Sequence, residues 1–427
     1  MDLCVRNGYV YTDGRIVEKD VGVRDGEIVE IGDIDDADRV LDADGNLVMP
    51  GLVNAHTHAA MTLFRGYADD LPLETWLREK IWPIEARLQP DDIYAGTRLA
   101  ALEMIKSGTT SFGDMYFEME RVAEAVEEAG LRATLGYGMI TENKETEDEK
   151  REELEGGVEF VREYDGAANG RVSAMLAPHA PYSCDDWFLE EAAEKADDLA
   201  CVFHTHLSET QNEVENSVAN TGVSPAWHLD NHGILGENVY VAHGVHLDHE
   251  EIELLRDRDV SVAHCPSANM KLASGAAPVD LMDSKGVNVA IGTDGAASNN
   301  NLDMFEETRR AALLSKVTES DAAAVPAKTA IEMATHNGGY ALGTEAGVIE
   351  RGRPADMIVV DVGSPHLTPH HDLISNLVYS AKGTDVVATV VDGEVVMEDR
   401  EVLTLDEEKV KQDAIEASVR LDSEVAE

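Results

Sequence analysis

Cysteine is scarce. Four occur in 427 residues, at positions 4, 184, 201 and 265, and none forms a C-x-x-C pair. That excludes a disulfide scaffold and reads as free, buried thiols in a reducing compartment. No apolar run approaches the ~18 residues that a transmembrane helix needs. The opening "MDLCVRNGYVYTDGR" lacks the basic start and apolar stretch of a signal peptide, so a cytoplasmic protein is expected. Basic residues are also few: 34 against 84 acidic ones, for a net charge of −50. Only 13 of them are Lys. So acidic a surface argues against nucleic acid and anionic membranes as partners. Its acidic residues are spread along the whole chain, which fits a halophilic protein whose self-repulsion is screened by a high-salt cytoplasm. Clusters such as "DIDDADR" and "ETEDEKREELEGG" are then solvated faces rather than sites.

What is present is a globular composition, 43% apolar, in a chain long enough for one large domain and a smaller one. The first ~50 residues read as short strands joined by Asn-Gly and Asp-Gly turns. The far end repeats the style in "PADMIVVDVG" and "VVATVVDGEVVMED". Neither piece buries a face alone. The expectation is a composite β-sandwich domain of residues 1–50 plus 348–427, ending in a surface helix, with residues 51–347 inserted between its halves.

The insert alternates apolar strands with amphipathic helices. Eight strand candidates appear: "LVMPGLVNAH", "GTTSFGDM", "RATLGYGM", "VSAMLAPH", "ACVFHTHL", "NVYVAHGV", "VSVAHCP" and "VNVAIGTD". This fits an α/β fold of the (β/α)8 TIM-barrel type. A doubly wound open sheet is the runner-up, but no glycine-rich phosphate loop follows the first strand.

Polar residues recur at the strand ends. His56 and His58 end the first strand, and residues i and i+2 of a strand share a face. His179 ends the fourth; His204 and His206 lie in the fifth, followed by Glu209. His243 ends the sixth, His264 the seventh and Asp294 the eighth. Active sites of such barrels form at the C-terminal strand ends, so these residues should converge although up to 238 positions apart. His56, His58, His206 and Asp294 make a candidate metal set of a kind that suits zinc, with Fe2+ or Mn2+ as alternatives. His204 points inward but deeper, in a packing or supporting role. The fourth strand carries no Lys to bridge two metals, which favours one ion per subunit.

The stretches "PGLVNAHTH", "HLSET", "AHGVHL" and "GTDGAASNN" resemble the amidohydrolase superfamily. Within it, the similarity is greatest to the 5′-methylthioadenosine/S-adenosylhomocysteine deaminases and related chlorohydrolases. The resemblance implies that His56, His58, His206 and Asp294 bind the metal. It implies that Glu209 is the catalytic glutamate and that His243 helps proton transfer. Substrate contacts would come from His179, from Glu85 on the ribose hydroxyls, and from Trp76 near the adenine or ribose. It implies hydrolytic deamination: water activated at zinc attacks C6 of adenine, Asp294 and His243 take the proton, and Glu209 protonates ring N1 and helps ammonia leave. The partner would be a small nucleoside, and a homo-oligomer is expected. One departure stands out. Tyr137 occupies the place of a family arginine that meets an acidic substrate tail; Arg151 is the candidate for a second such arginine, though its acidic helical surroundings read better as those of a solvated surface charge. The absence weakens the case for a carboxylate-bearing substrate and leaves 5′-methylthioadenosine, 5′-deoxyadenosine and adenosine open. The alternatives are the same metal site acting on guanine, cytosine or a triazine, and a non-catalytic barrel. The ribose-holding carboxylate speaks against the first, and the complete ligand set against the second.

Overall fold

The computed structural model describes residues 1–425. Eight parallel strands form the central sheet: β1 (Leu52–Thr57), β2 (Thr109–Tyr116), β3 (Arg132–Met139), β4 (Val172–Pro178), β5 (Val202–Leu207), β6 (Val239–His243), β7 (Ser261–His264) and β8 (Val289–Ile291). Nearly every residue in them is buried, as expected for strands covered on both faces. Each strand pairs with the next in sequence order. The ends of the sheet are drawn together by side chains. Asn54 donates to Thr293 Oγ1 (2.7 Å), Thr293 N donates back to Asn54 Oδ1 (2.9 Å), and Asp294 N donates to the His56 carbonyl (2.9 Å). At Gly292 a Cβ would stand 2.8 Å from the His56 backbone, so only glycine lets the last strand approach the first. The barrel is therefore nearly closed. Helices such as Pro90–Ser107, Met119–Ala129 and Asp186–Leu199 cover its outside, where the amphipathic stretches of the sequence place them.

The two chain ends pair as the hairpin patterns suggest. Leu47–Pro50 runs antiparallel to Met357–Val360, with Val48 opposite Val359. That pairing joins N-terminal and C-terminal strands into one seven-stranded sheet. A four-stranded sheet built from residues 3–42 packs on it. Val5, Val21 and Ile28 from one sheet meet Val48, Met357 and Val390 from the other in a core of their own. The last helix, Glu407–Val425, does not join these sheets. It docks along Pro90–Ser107, burying Val410 and Leu421 and pairing Arg98 with Asp413 (3.0 Å). All four cysteines are buried and unpaired. No described helix is long and apolar enough to cross a membrane.

Candidate active site

At the C-terminal mouth of the barrel, β1, β5 and the turn after β8 bring His56, His58, His206 and Asp294 together. The histidine donor atoms lie within 4.8 Å of one another. Asp294 Oδ1 is 3.6 Å from His56 Nε2 and 3.3 Å from His58 Nε2.

The hydrogen bonds behind these rings fix which nitrogen carries the proton. His58 Nδ1 faces the Met115 carbonyl (2.6 Å) and His206 Nδ1 the His179 carbonyl (2.6 Å). A carbonyl only accepts, so both Nδ1 atoms donate. His204 Nδ1 donates to the Tyr240 carbonyl (3.1 Å), and its Nε2 therefore accepts from His56 Nδ1 (2.9 Å). Three Nε2 lone pairs are left facing inward with a carboxylate oxygen and no proton between them. His56 Nε2 has no hydrogen-bond partner among the described residues. Burial, then the neighbouring rings, hold His56 and His206 well below the ordinary histidine range, so they are neutral at pH 7. Neutral imidazoles converging on a carboxylate are a cation's donor set, and it fits a divalent metal. Asp294 is held by Gly295 N (2.8 Å) and Ser298 Oγ (2.6 Å).

Beside this centre, Glu209 Oε2 lies 3.8 Å from His243 Nε2, and Ser274 Oγ donates to Glu209 Oε1 (3.2 Å). Burial is the main cause that pushes the Glu209 carboxyl up. Asn269 donates its amide to His243 Nδ1 (3.0 Å), which leaves Nε2 as the proton-bearing nitrogen aimed at the pocket. The turn carrying Glu209 is tied by Glu213, whose two oxygens accept from Ser208 N and Glu209 N (2.8 Å each). Ser208, His243 and Asp294 all have left-handed backbones, at φ 50°, 76° and 59°. Such strain costs ~1–3 kcal/mol per residue and clusters at functional sites.

A pocket opens from the metal set outward. His179, Glu85 and Trp76 line it together with His58, Glu209 and Asp294. His179 Nδ1 bonds Ser183 Oγ (2.9 Å), and burial pushes the ring down to about 4. Tyr116 donates its hydroxyl to Glu85 Oε1 (2.6 Å). Burial pushes Glu85 up to about 7 despite that bond. The Trp76 indole N–H donates to the Ala68 carbonyl (3.1 Å), which turns its ring toward the cavity. Both residues ride on the helical segment Leu73–Glu85, which carries a π-type turn at Leu77–Ile81 and roofs the mouth.

Three expected residues lie elsewhere. Arg151 is on the outer surface, stacked 4.8 Å over the Trp187 ring and paired with Glu191 (3.2 Å), so it does not reach the pocket. Tyr137 also misses the pocket. Adjacent residues of β3 face opposite ways, and Gly138 is the one that lines it. His264 is sealed inside the barrel with both ring nitrogens unpartnered among the described residues. The spacing of the sequence did not single out Asn269, Ser274, Glu213 or Tyr116. Only Glu213 left a readable trace, since "TQNE" has the Thr-x-x-Glu form of a helix start.

Comparison with known proteins gives the family and the fold. A model of the amidohydrolase family matches residues 47–396. A 5′-deoxyadenosine deaminase of Methanosarcina acetivorans is 51% identical, over 98% of each chain. A 5-methylthioadenosine/S-adenosylhomocysteine deaminase of Natronomonas pharaonis is 53% identical, over 91% of this chain and 90% of that one. The crystal structure of an adenosine deaminase from Xanthomonas campestris, with bound zinc, superposes with a TM-score of 0.94 at 37% identity, over 99% of both chains.

Proposed function

The chain belongs to the amidohydrolase family, and from that premise we propose that it is a zinc-dependent aminohydrolase. It converts 5′-substituted adenosines to the inosine analogue and ammonia. The observation that carries this reading is the position of Glu209 and His243. They stand at the edge of a donor set of three neutral histidines and one aspartate, inside a pocket whose far wall holds Glu85.

His56, His58, His206 and Asp294 would hold the zinc. Zinc supplies a Lewis acid that lowers the pKa of water toward ~7. The protein's own groups do the rest. Asp294 accepts the proton as water attacks C6, and His243 presents its Nε2–H to the attacking oxygen. Glu209, whose carboxyl burial raises above its ordinary value, passes a proton to ring N1 and then helps protonate the departing amino group. Glu85 accepts from the ribose hydroxyls, and His179 and Trp76 orient the nucleoside. The pocket is roofed by Leu73 and Leu77, which keep bulk water off the reacting ring.

Beyond Glu85 the pocket wall is Phe117, Ile140 and Gly138. Arg78 reaches this outer chamber, but it pairs with Glu74 (3.5 Å) and lies over Trp82 (5.1 Å), and Glu142 faces the same space. An apolar wall with a committed arginine suits a short uncharged 5′ group. The ranking is therefore 5′-deoxyadenosine and 5′-methylthioadenosine ahead of S-adenosylhomocysteine. The acidic composition supports cytoplasmic function in high salt, and the family supports a homo-oligomer.

The test is ammonia release from zinc-loaded enzyme in molar salt, with these three nucleosides, adenosine, guanine and cytosine. Turnover of the adenosines is expected, falling ~10³-fold or more in Glu209→Gln. Turnover of a free base with none of the nucleosides would overturn the reading.

A further inference from the structure

On the outside of the barrel a second group of metal-ligating side chains lies apart from the mouth. Asp186 opens the helix Asp186–Leu199, and Glu190 follows one turn later on the same face. Opposite them stand His228 and His232, again four residues apart, at the end of the helix Pro225–Asn231. His228 Nε2 is 2.9 Å from Asp186 Oδ1, and His232 Nε2 is 3.7 Å from Asp186 Oδ2. The two imidazole centroids are 4.6 Å apart. Donor atoms of Asp186, His228 and His232 all fall within 4.8 Å of one another.

We propose that Asp186, His228 and His232 form a second divalent transition-metal site, which clasps the helix following β4 to the helix preceding β6. Two carboxylates and two imidazoles meet here, and among the described residues no Lys or Arg pairs with Asp186 or Glu190. Six acidic residues stand against one lysine in Asp186–Leu199, so the local field draws a cation. The division of labour is legible in the ring of His232. Its Nδ1 lies 2.7 Å from Glu190 Oε1, so that carboxylate holds the Nδ1 proton and turns Nε2 toward Asp186. A carboxylate behind a ligating histidine is the arrangement that fixes ring orientation at metal sites. His228 is buried, while Asp186 keeps 55% of its side chain exposed. The site is thus walled by protein on one side and open on the other, where water completes the shell. Two histidines one helical turn apart with one carboxylate suit zinc, cobalt or nickel rather than magnesium. Zinc bonds of about 2.0–2.1 Å require donors about 3.3 Å apart, within the span of the present set after side-chain adjustment.

The probe is zinc alone, counted by elemental analysis after equilibration at buffered free zinc. Wild type should hold two ions per chain. His232→Gln and Asp186→Asn should each hold one and keep ammonia release within about twofold. In a second arm, the double variant His56→Ala/Asp294→Ala, which lacks the mouth set, should still take up one zinc and rise in Tm with zinc but not with magnesium. That arm remains readable whatever the enzyme's substrate proves to be. One ion in wild type, or two retained in both His232→Gln and Asp186→Asn, would overturn the proposal and leave the cluster as imidazolium–carboxylate ion pairs.

Discussion

The mouth of the barrel and its seam with the terminal sheets are both buried and both polar, yet they are built on opposite rules. At the seam, Arg132 opens β3 and places its guanidinium on Asp356 (2.7 and 3.3 Å) and on Asp392 (3.0 Å). Asp356 is fully buried and also accepts from Asp392 N (2.7 Å). At the mouth, His56 Nε2, Asp114 Oδ2, Ser208 Oγ and Asn269 Oδ1 have no partner among the described residues. An unmet buried polar atom costs ~1–3 kcal/mol. The seam pairs its polar groups with each other and so holds two units together. The mouth leaves polar atoms unmet, and one of them, His56 Nε2, belongs to the candidate metal set.

The largest effect that tests this contrast is at the seam. Arg132→Ala leaves Asp356 buried without its cation, and breaking such a pair costs ~3–5 kcal/mol. Denaturant unfolding should show that loss, while ammonia release per folded molecule stays near wild type. A matching loss of activity in the folded fraction would show that the seam also shapes the mouth. The next effect reverses the pattern. Asn269→Ala removes the group that sets the His243 tautomer, and outer-shell partners of this kind are worth ~10–100-fold. kcat should fall by that factor at a stability cost of ~1 kcal/mol. An unchanged kcat would detach His243 from proton transfer.

How much of this was legible in the sequence follows the same division. The eight strands were readable because strands buried on both faces form continuous apolar runs, and their chemistry sits at the ends of those runs. His56 and His58 share a face by period alone. The Asn54–Thr293 contact that closes the barrel was not readable, since nothing local links positions 239 apart. The roof over the mouth was missed because Ala59–Phe64 and Leu77–Ile81 are 3-10 and π turns, without the 3.6-residue period that announces a helix. Tyr137 stands one position from the pocket-lining Gly138, and in a strand one position separates the pocket face from the outer face. Arg151 is the surface helix charge that its acidic surroundings favoured, and its partners, Trp187 and Glu191, emerge only in three dimensions.

The smallest effect sharpens the contrast inside the pocket itself, where Glu85 is half-way between the two rules. Among the described residues it has one hydrogen-bond partner, the Tyr116 hydroxyl, and it lines the pocket. Burial raises it to about 7, so near neutral pH the free enzyme holds a mixture of carboxylate and carboxylic acid. Only the carboxylate offers acceptors to two ribose hydroxyls while also accepting from Tyr116. A raised acid is ionised above its pKa, so kcat/KM for a nucleoside should fall as pH drops from 8 to 6, by about tenfold from this group alone. The ratio of wild type to Glu85→Gln removes the contribution of the other titrating groups of the pocket. The ratio should decline about tenfold across those two units, with adenosine and with 5′-deoxyadenosine alike. A ratio independent of pH would mean that Glu85 is paired only with Tyr116, a structural group after all, and that the ribose is held by something else.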